Sequence, residues 1–346
     1  MQGDEVILLV HKHSKFITSL KIAGNICMKK ENYNVLPAIN YGTRPKVLLV
    51  GNGINLSFDK THKTDSIIQD EWKLAYGEEL TGKDVEPIHE IWKMPFPLQV
   101  VAATKDHVQK CMTSLAYSFR KAEVSEKQKD FIRNILDANV DAVLSTNYSL
   151  EFEKATIDMC TENKVYSHYK KTRKQNNQQE TFGVFQCVEL PYANHPLLWH
   201  IHGTALRKKS LVMGQLYYGK LLSEVIKQAN TVKSRYEAAQ RGNAQIKLES
   251  WIDYFLIGDV HIFGFRLDFS ESDIWWLLSF KKSAFPNTKV FFYSTGISKE
   301  LKLMLKSYNV LTPDIQFYDV AEKDRYINFY EAICRQIKGE LTHVNI

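Results

Sequence analysis

Three short polar motifs each close an apolar run. Residues 47–50 (Val-Leu-Leu-Val) lead into Gly51, Asn52, Gly53 and Asn55. Residues 142–144 (Ala-Val-Leu) lead into Ser145, Thr146, Asn147 and Tyr148. Residues 197–199 (Leu-Leu-Trp) lead into His200, His202 and Gly203. Open α/β sheets build ligand sites from polar groups delivered at the carboxyl ends of buried strands. Three such ends in one chain point to one crevice. A glycine turn, an amide and an imidazole together suit a nucleotide whose sugar is attacked.

Each motif also has a plainer reading. Gly51 and Gly53 let backbone N–H groups approach a phosphate, and they equally make a tight strand-to-helix turn. Leu56 stands where the full dinucleotide fingerprint has its third glycine. Asn52 and Asn55 add amides suited to ribose or phosphate. Asn147 is either a site amide or an Asx turn or helix cap. Period-two alternation puts His200 and His202 on one side of a strand. His202 is a site imidazole or a satisfied core histidine, and Gly203 beside it permits close approach. A fourth strand end, Gly264, Phe265, Arg266, Leu267 and Asp268, runs into Ser270 to Asp273. That stretch reads as a capping box with Asp in the place of Glu. Its N–H groups offer another anion or ribose site, with an Arg266–Asp268 ion pair as the alternative.

These residues need elements to hold them. Strand signals recur near 47–50, 141–146, 197–201, 260–265, 289–294 and 315–319. Helical patterns lie between them, including one after Ser270 and others over 296–310 and 320–340. Strands alternating with helices predict an α/β fold, a Rossmann-like parallel sheet covered by helices on both faces. Residues 56–140 hold three or four helices, with Trp72 and Trp92 as anchors and Pro95 and Pro97 as breaks. Residues 214–250 are a second helical insertion. Both are expected above the carboxyl edge, as a lid or a small second domain over the crevice. Residues 1–45 form a β-rich appendage, with strands at 6–10 and 16–22. It is either an edge hairpin or an assembly interface. The polar stretch 166–180 reads as a hairpin with a long solvated tip.

Composition narrows the class. The chain has 346 residues, 44% hydrophobic and 24% charged, so it can bury a full core. A net charge of +6, spread along the chain, is mild, and no aromatic platform is interleaved with the basic run. Direct nucleic-acid binding is therefore not expected. No apolar stretch approaches membrane-helix length, and the first residues lack the basic lead of an export signal. The five cysteines are scattered, which suits reduced cytoplasmic thiols and no structural zinc.

Taken in order, the four strand-end motifs resemble the sirtuin superfamily. There a glycine-alanine-glycine turn, a T-Q-N motif, an H-G pair and a G-T-S motif line the NAD pocket in the same sequence. More specifically, G-N-G-I-N, S-T-N-Y, H-I-H-G and G-F-x-L-D-F-S-E-x-D-x-W-W-L-L look like the sirtuin-like NAD hydrolase effectors of prokaryotic antiphage defence. The resemblance covers about residues 46–320, and it implies a sirtuin-like NAD-binding domain over 46–346. It further implies that Asn147 and His202 are the catalytic pair that cleaves the nicotinamide–ribose bond of NAD, the substrate. Gly51, Asn52, Gly53 and Asn55 would cradle pyrophosphate and ribose. Gly264 and Phe265 would meet the adenosine half, with Thr146, Gly203 and Asp268 completing the pocket. No metal is expected. The four-cysteine zinc module and the G-I-P-D-F-R motif of deacetylase sirtuins are both missing, which counts against an acyl-lysine deacylase. An ADP-ribosyl transferase and a non-catalytic sensor of NAD or ADP-ribose are the other readings. A constantly active NAD hydrolase would kill its cell. Gating by homo-oligomerisation, by a separate partner protein or by a nucleotide signal is therefore expected. In the family such partners include a HerA-type ATPase and nucleotide-pyrophosphatase-like sensors.

Overall fold

A computed structural model describes residues 37–58, 94–104, 108–172, 183–315 and 325–339. In chain order its strands are β1 (Ala38–Asn40), β2 (Lys46–Val50), β3 (Ala142–Ser145), β4 (Tyr169–Lys171), β5 (Gln186–Glu189), β6 (Leu197–His200), β7 (Gln245–Lys247), β8 (Asp259–Phe263), β9 (Val290–Phe292) and β10 (Val310–Leu311). The helices are α1 (Gly53–Phe58), α2 (Phe96–Thr104), α3 (Val108–Lys121), α4 (Glu126–Leu136), α5 (Glu151–Thr156), α6 (Glu162–Ser167), α7 (Gln215–Gly242), α8 (Trp251–Ile257), α9 (Ser272–Ala284), α10 (Lys299–Ser307) and α11 (Arg325–Lys338).

The main sheet has the order β10-β9-β8-β2-β3-β6-β5-β4. From β10 to β6 every neighbouring pair is parallel, and β5 and β4 close one edge antiparallel. Read from β6 to β10, the parallel part follows the 3-2-1-4-5-6 order of doubly wound dinucleotide folds. Its topological switch point lies between β2 and β8. The Rossmann-like fold expected from the sequence is the one observed.

The central strands are apolar without alternation because both faces are covered. Val47, Leu49, Ala142, Leu144, Val260 and Ile262 enter one core, beneath α7, α8, α9 and α10. Leu48, Val50, Val143, Leu198 and Phe263 enter the other, beneath α4, α5 and α11. A third cluster joins α2 and α3 to Tyr148, Ala205, Leu211 and Met213, beyond the carboxyl ends of β3 and β6.

Some local expectations are corrected. The insertion over 214–250 is chiefly the single helix α7, which buries Tyr218, Leu221, Val225, Ala229 and Val232 along a sheet face. It ends at Asn243, whose left-handed φ of 46° terminates the helix. Pro97 does not break a helix. It sits in the first turn of α2, where its missing N–H costs nothing. The helix expected over 296–310 stops at Ser307, and Asn309, with φ of 59°, turns the chain into β10. Ile315 is not in a strand, and the remainder of the strand expected at 315–319 lies outside the described residues. So do Trp72, Trp92, the strands expected at 6–10 and 16–22, and the polar tip after Thr172. The last part of the N-terminal appendage is described: β1 pairs antiparallel with β7. Among the described residues no helix is long and apolar enough to cross a membrane.

One residue of β8 makes the fold acid-sensitive. His261 stacks on Phe291 at 4.8 Å and is hydrogen-bonded to the Tyr293 hydroxyl at 2.9 Å. Burial, with Lys46 adding to it, pulls its pKa down to about 4. The unfolded chain therefore binds this proton first, and stability falls as pH drops from about 6.5 toward 4. His261→Phe is expected to remove about 2–3 kcal/mol of that loss. Urea unfolding of both proteins at neutral pH and near pH 4.5 measures it. Equal acid losses would refute the assignment.

Candidate functional site

The glycine turn after β2 and the loop after β8 meet at the switch point. Gly51 N–H donates to Phe263 O at 3.2 Å, and Gly53 N–H donates to Gly264 O at 2.7 Å. A Cβ on Gly51 would lie 2.5 Å from Gly264 O, and one on Gly53 would lie 2.8 Å from it. Close approach of two loops explains these glycines. The phosphate cradle expected of Gly51 and Gly53 is thus corrected: their amides are spent on the backbone of the neighbouring loop. Gly264 itself has φ of 65°. Phe265 packs over Gly51.

Asn55 is buried and ties two loops together. Its Nδ2 donates to Asn52 Oδ1 at 3.2 Å and to Ser149 Oγ at 3.1 Å, while Gln128 Nε2 donates to its Oδ1 at 2.7 Å. The Ser149 hydroxyl passes the network on to Glu151 Oε2 at 2.6 Å. Thr146 bonds back to Val50 O through its amide at 3.0 Å.

Asn147 stands in the same network. It is 5% exposed, and its Nδ2 donates to Glu151 Oε1 at 2.6 Å. Its Oδ1 is buried without a hydrogen-bond partner. It does not cap the following helix; Leu150 is the N-cap of α5 and makes no side-chain cap bond. Burial raises the pKa of Glu151, against the hydrogen bonds from Ser149 and Asn147.

His200 holds the Asn147 peptide. One ring nitrogen, Nδ1, meets Asn147 O at 2.9 Å, and the other, Nε2, meets Glu153 Oε1 at 2.9 Å. Both partners are acceptors, so the ring is an imidazolium donating twice. Burial opposes that charge, but Glu153, the Asn147 carbonyl and Glu151 outweigh it and push the pKa up to about 9. His200 also borders a small open pocket lined by Tyr169, Leu198, Thr204 and Arg207, with neither Asn147 nor His202 in its wall.

His202 faces elsewhere, which corrects the expectation that the two histidines share a side. The strand ends at His200, and Gly203 N–H closes a turn onto His200 O at 3.0 Å. Gly203 has φ of 94°, and a Cβ there would lie 2.1 Å from Ser210 O. The turn swings His202, 3% exposed, toward the helices of the first face. Its Nε2 lies 3.0 Å from Asp273 Oδ2 and 3.8 Å from Glu271 Oε2. Its ring meets Tyr218 edge-on at 5.4 Å. Burial lowers the His202 pKa, but Asp273 and Glu271 override it, so the net direction is upward. Burial pushes Glu271 up to about 7; His202 opposes this, and Asp273 and Asp268 add to it.

The capping box expected at Ser270 does not form, because Asp273 is engaged with His202. The Ser270 N–H is taken by Asp268 Oδ1 at 2.9 Å, and the Asp268 carbonyl accepts from Trp275 Nε1 at 3.0 Å. A complete capping box lies elsewhere, at Ser250 and Asp253 opening α8. Glu271, Asp273, Glu151 and Tyr218 were not anticipated as site residues. The detectable signal was the shorter Asp in a capping position, two residues after another acid.

The structure places Asn147 and His202 just past the carboxyl ends of the neighbouring strands β3 and β6. β3 and β6 pair Ser145 with His200, and each candidate lies two residues past that pair. It engages them with separate carboxylates, Glu151 and Asp273. No family model matches the chain, and the search of curated proteins found no match.

Proposed function

We propose that this chain hydrolyses the nicotinamide–ribose bond of NAD, with Asn147 and His202 as the catalytic pair. The observation that carries the reading is the pairing of β3 with β6. It delivers a carboxamide with a bare buried oxygen and a carboxylate-backed imidazole to adjacent strand ends, beside the switch point where such folds take dinucleotides.

The C1′–N bond breaks first, nicotinamide leaves as a neutral molecule, and positive charge builds on the sugar as in other glycoside cleavages. Asn147 Oδ1 accepts from the attacking water or a ribose hydroxyl. Asp273 accepts a hydrogen bond from the Nε2–H of His202, which leaves the lone pair on Nδ1. That nitrogen takes the proton of the water as its oxygen bonds to C1′. The products are nicotinamide and ADP-ribose.

Both side chains are almost wholly buried, so NAD enters only after the site opens. This supports a gated enzyme, with assembly of the chain or a partner protein as the trigger. Among the described residues, the α2–α3 cluster packs on Tyr148, next to Asn147. The test is to incubate the full chain, alone and with candidate activators, with NAD and follow nicotinamide and ADP-ribose. Release of both supports the reading. Tight binding without turnover under every activator would replace it with a sensor of NAD, and acylated or ADP-ribosylated acceptors would replace it with a transferase.

A further inference from the structure

We propose that His202, Glu271 and Asp273 form a binding site for a divalent first-row metal ion of the Zn²⁺ or Mn²⁺ kind. One ligand atom from each residue lies within 4.8 Å of the others. The shorter separations, 3.0 and 3.8 Å from His202 Nε2, match those between neighbouring ligands on a metal with bonds of roughly 2.1 Å. The three residues come from two strand ends: His202 from the turn after β6, and the two acids from the start of α9 after β8.

Two observations independent of that spacing point to a cation. First, Glu271 Oε2 and Asp273 Oδ1 are both buried without a hydrogen-bond partner, and Asp273 is 0% exposed. Buried carboxylate oxygens rarely go unpaired. Second, the charge does not balance. Two carboxylates face one imidazole, and among the described residues neither acid has an ion pair with Lys or Arg. Even an imidazolium leaves a net charge of about −1 in a buried cluster. A divalent ion with a neutral imidazole brings it to zero. The donor set of one imidazole nitrogen and two carboxylate oxygens selects a transition ion over Mg²⁺ or Ca²⁺, which prefer oxygen alone.

Metal binding stands apart from NAD cleavage, but it has a consequence for the proposed reaction. A metal on Nε2 leaves the ring proton on Nδ1, so the loaded chain has no base at His202. If the NAD reading holds, Zn²⁺ slows turnover and a chelator restores it.

The experiment uses chelator-stripped full chain and competition for Zn²⁺ and Mn²⁺ against a chromophoric chelator, with Mg²⁺ as control. The expected result is one ion per chain with nitrogen and oxygen neighbours, but no sulfur, in the X-ray absorption spectrum. Asp273→Asn and His202→Asn are each expected to weaken binding by at least about tenfold. Zn²⁺ raises the melting temperature of the wild type and not of the variants. A wild type that takes up no ion overturns the site, as do sulfur neighbours or unchanged affinity in folded variants. The two proposals fail separately: no nicotinamide release from the chelator-stripped, activated chain sinks only the hydrolase, and no ion uptake by the wild type sinks only the site.

Discussion

On the proposed reading, Asn147→Ala and His202→Ala are each expected to lower NAD turnover by about 10²–10⁴-fold in the activated protein, the usual contribution of a positioned acid–base group. The two losses have different structural side effects. His202→Ala leaves Asp273 and Glu271 facing each other with no cation between them, so it destabilises the chain as well as removing the base. Asn147→Ala frees Glu151 Oε1, but Oε2 keeps its Ser149 hydroxyl. A cost of about 1–2 kcal/mol is expected there. Thermal melts therefore have to accompany the rates. The informative case is Asn147→Ala: a folded variant that binds NAD and releases no nicotinamide. Wild-type turnover in either folded variant would remove that residue from the mechanism. Glu153→Gln separates catalysis from positioning. It weakens the imidazolium of His200, which holds the Asn147 carbonyl, and a fall in kcat with little change in KM is expected.

The fold was legible because its signal is redundant. Four apolar runs, at β2, β3, β6 and β8, each end in a polar motif, and strand alternating with helix has few solutions. The strand at one margin was harder. β10 has only two residues, Val310 and Leu311, and follows directly on an amphipathic helix. Periodicity runs through such a junction, and only the left-handed Asn309 marks it. The site was half legible. Strand ends named Asn147 and His202, because polar residues after apolar runs need no long-range knowledge. Their partners were not legible in the same way. Asp273 looks like a cap from its local sequence, and only the packing of α9 beside the β6 turn makes it a histidine partner. The glycines misled for a related reason. Gly51 and Gly53 do permit close approach, as expected, but what approaches is Gly264, just past β8 and far away in the chain. Nor did alternation separate His200 from His202, since period two holds only while the strand continues. The turn at Gly203 ends it and sends the rings to opposite faces.

Lys281→Met destabilises the protein by about 3–5 kcal/mol, although methionine fills nearly the same space. Lys281 is 2% exposed, in the last turn of α9. Its Nζ donates to Phe255 O at 2.8 Å, Leu256 O at 2.9 Å and Gly258 O at 2.7 Å. Those carbonyls end α8, whose helix dipole is negative at that end. Three acceptors use all three ammonium protons, so the cation is fully satisfied. Methionine keeps the packing and leaves three buried carbonyls without a donor. The logic extends to the whole sheet. Helices returning between parallel strands end at the amino edge and begin at the carboxyl edge. The amino edge is therefore rich in bare carbonyls, and lysines collect there: Lys46, opening β2, likewise donates to Ala138 O and Ile337 O past or within the last turns of α4 and α11. The carboxyl edge is rich in bare N–H groups, which favours acids, and there stand Glu151, Glu153, Glu271 and Asp273. The acidic edge thus belongs to the architecture, while the two partnerless carboxylate oxygens at α9 exceed what it needs. Urea unfolding near neutral pH measures the Lys281 effect. A variant within about 0.5 kcal/mol of wild type would show that the three carbonyls find water instead.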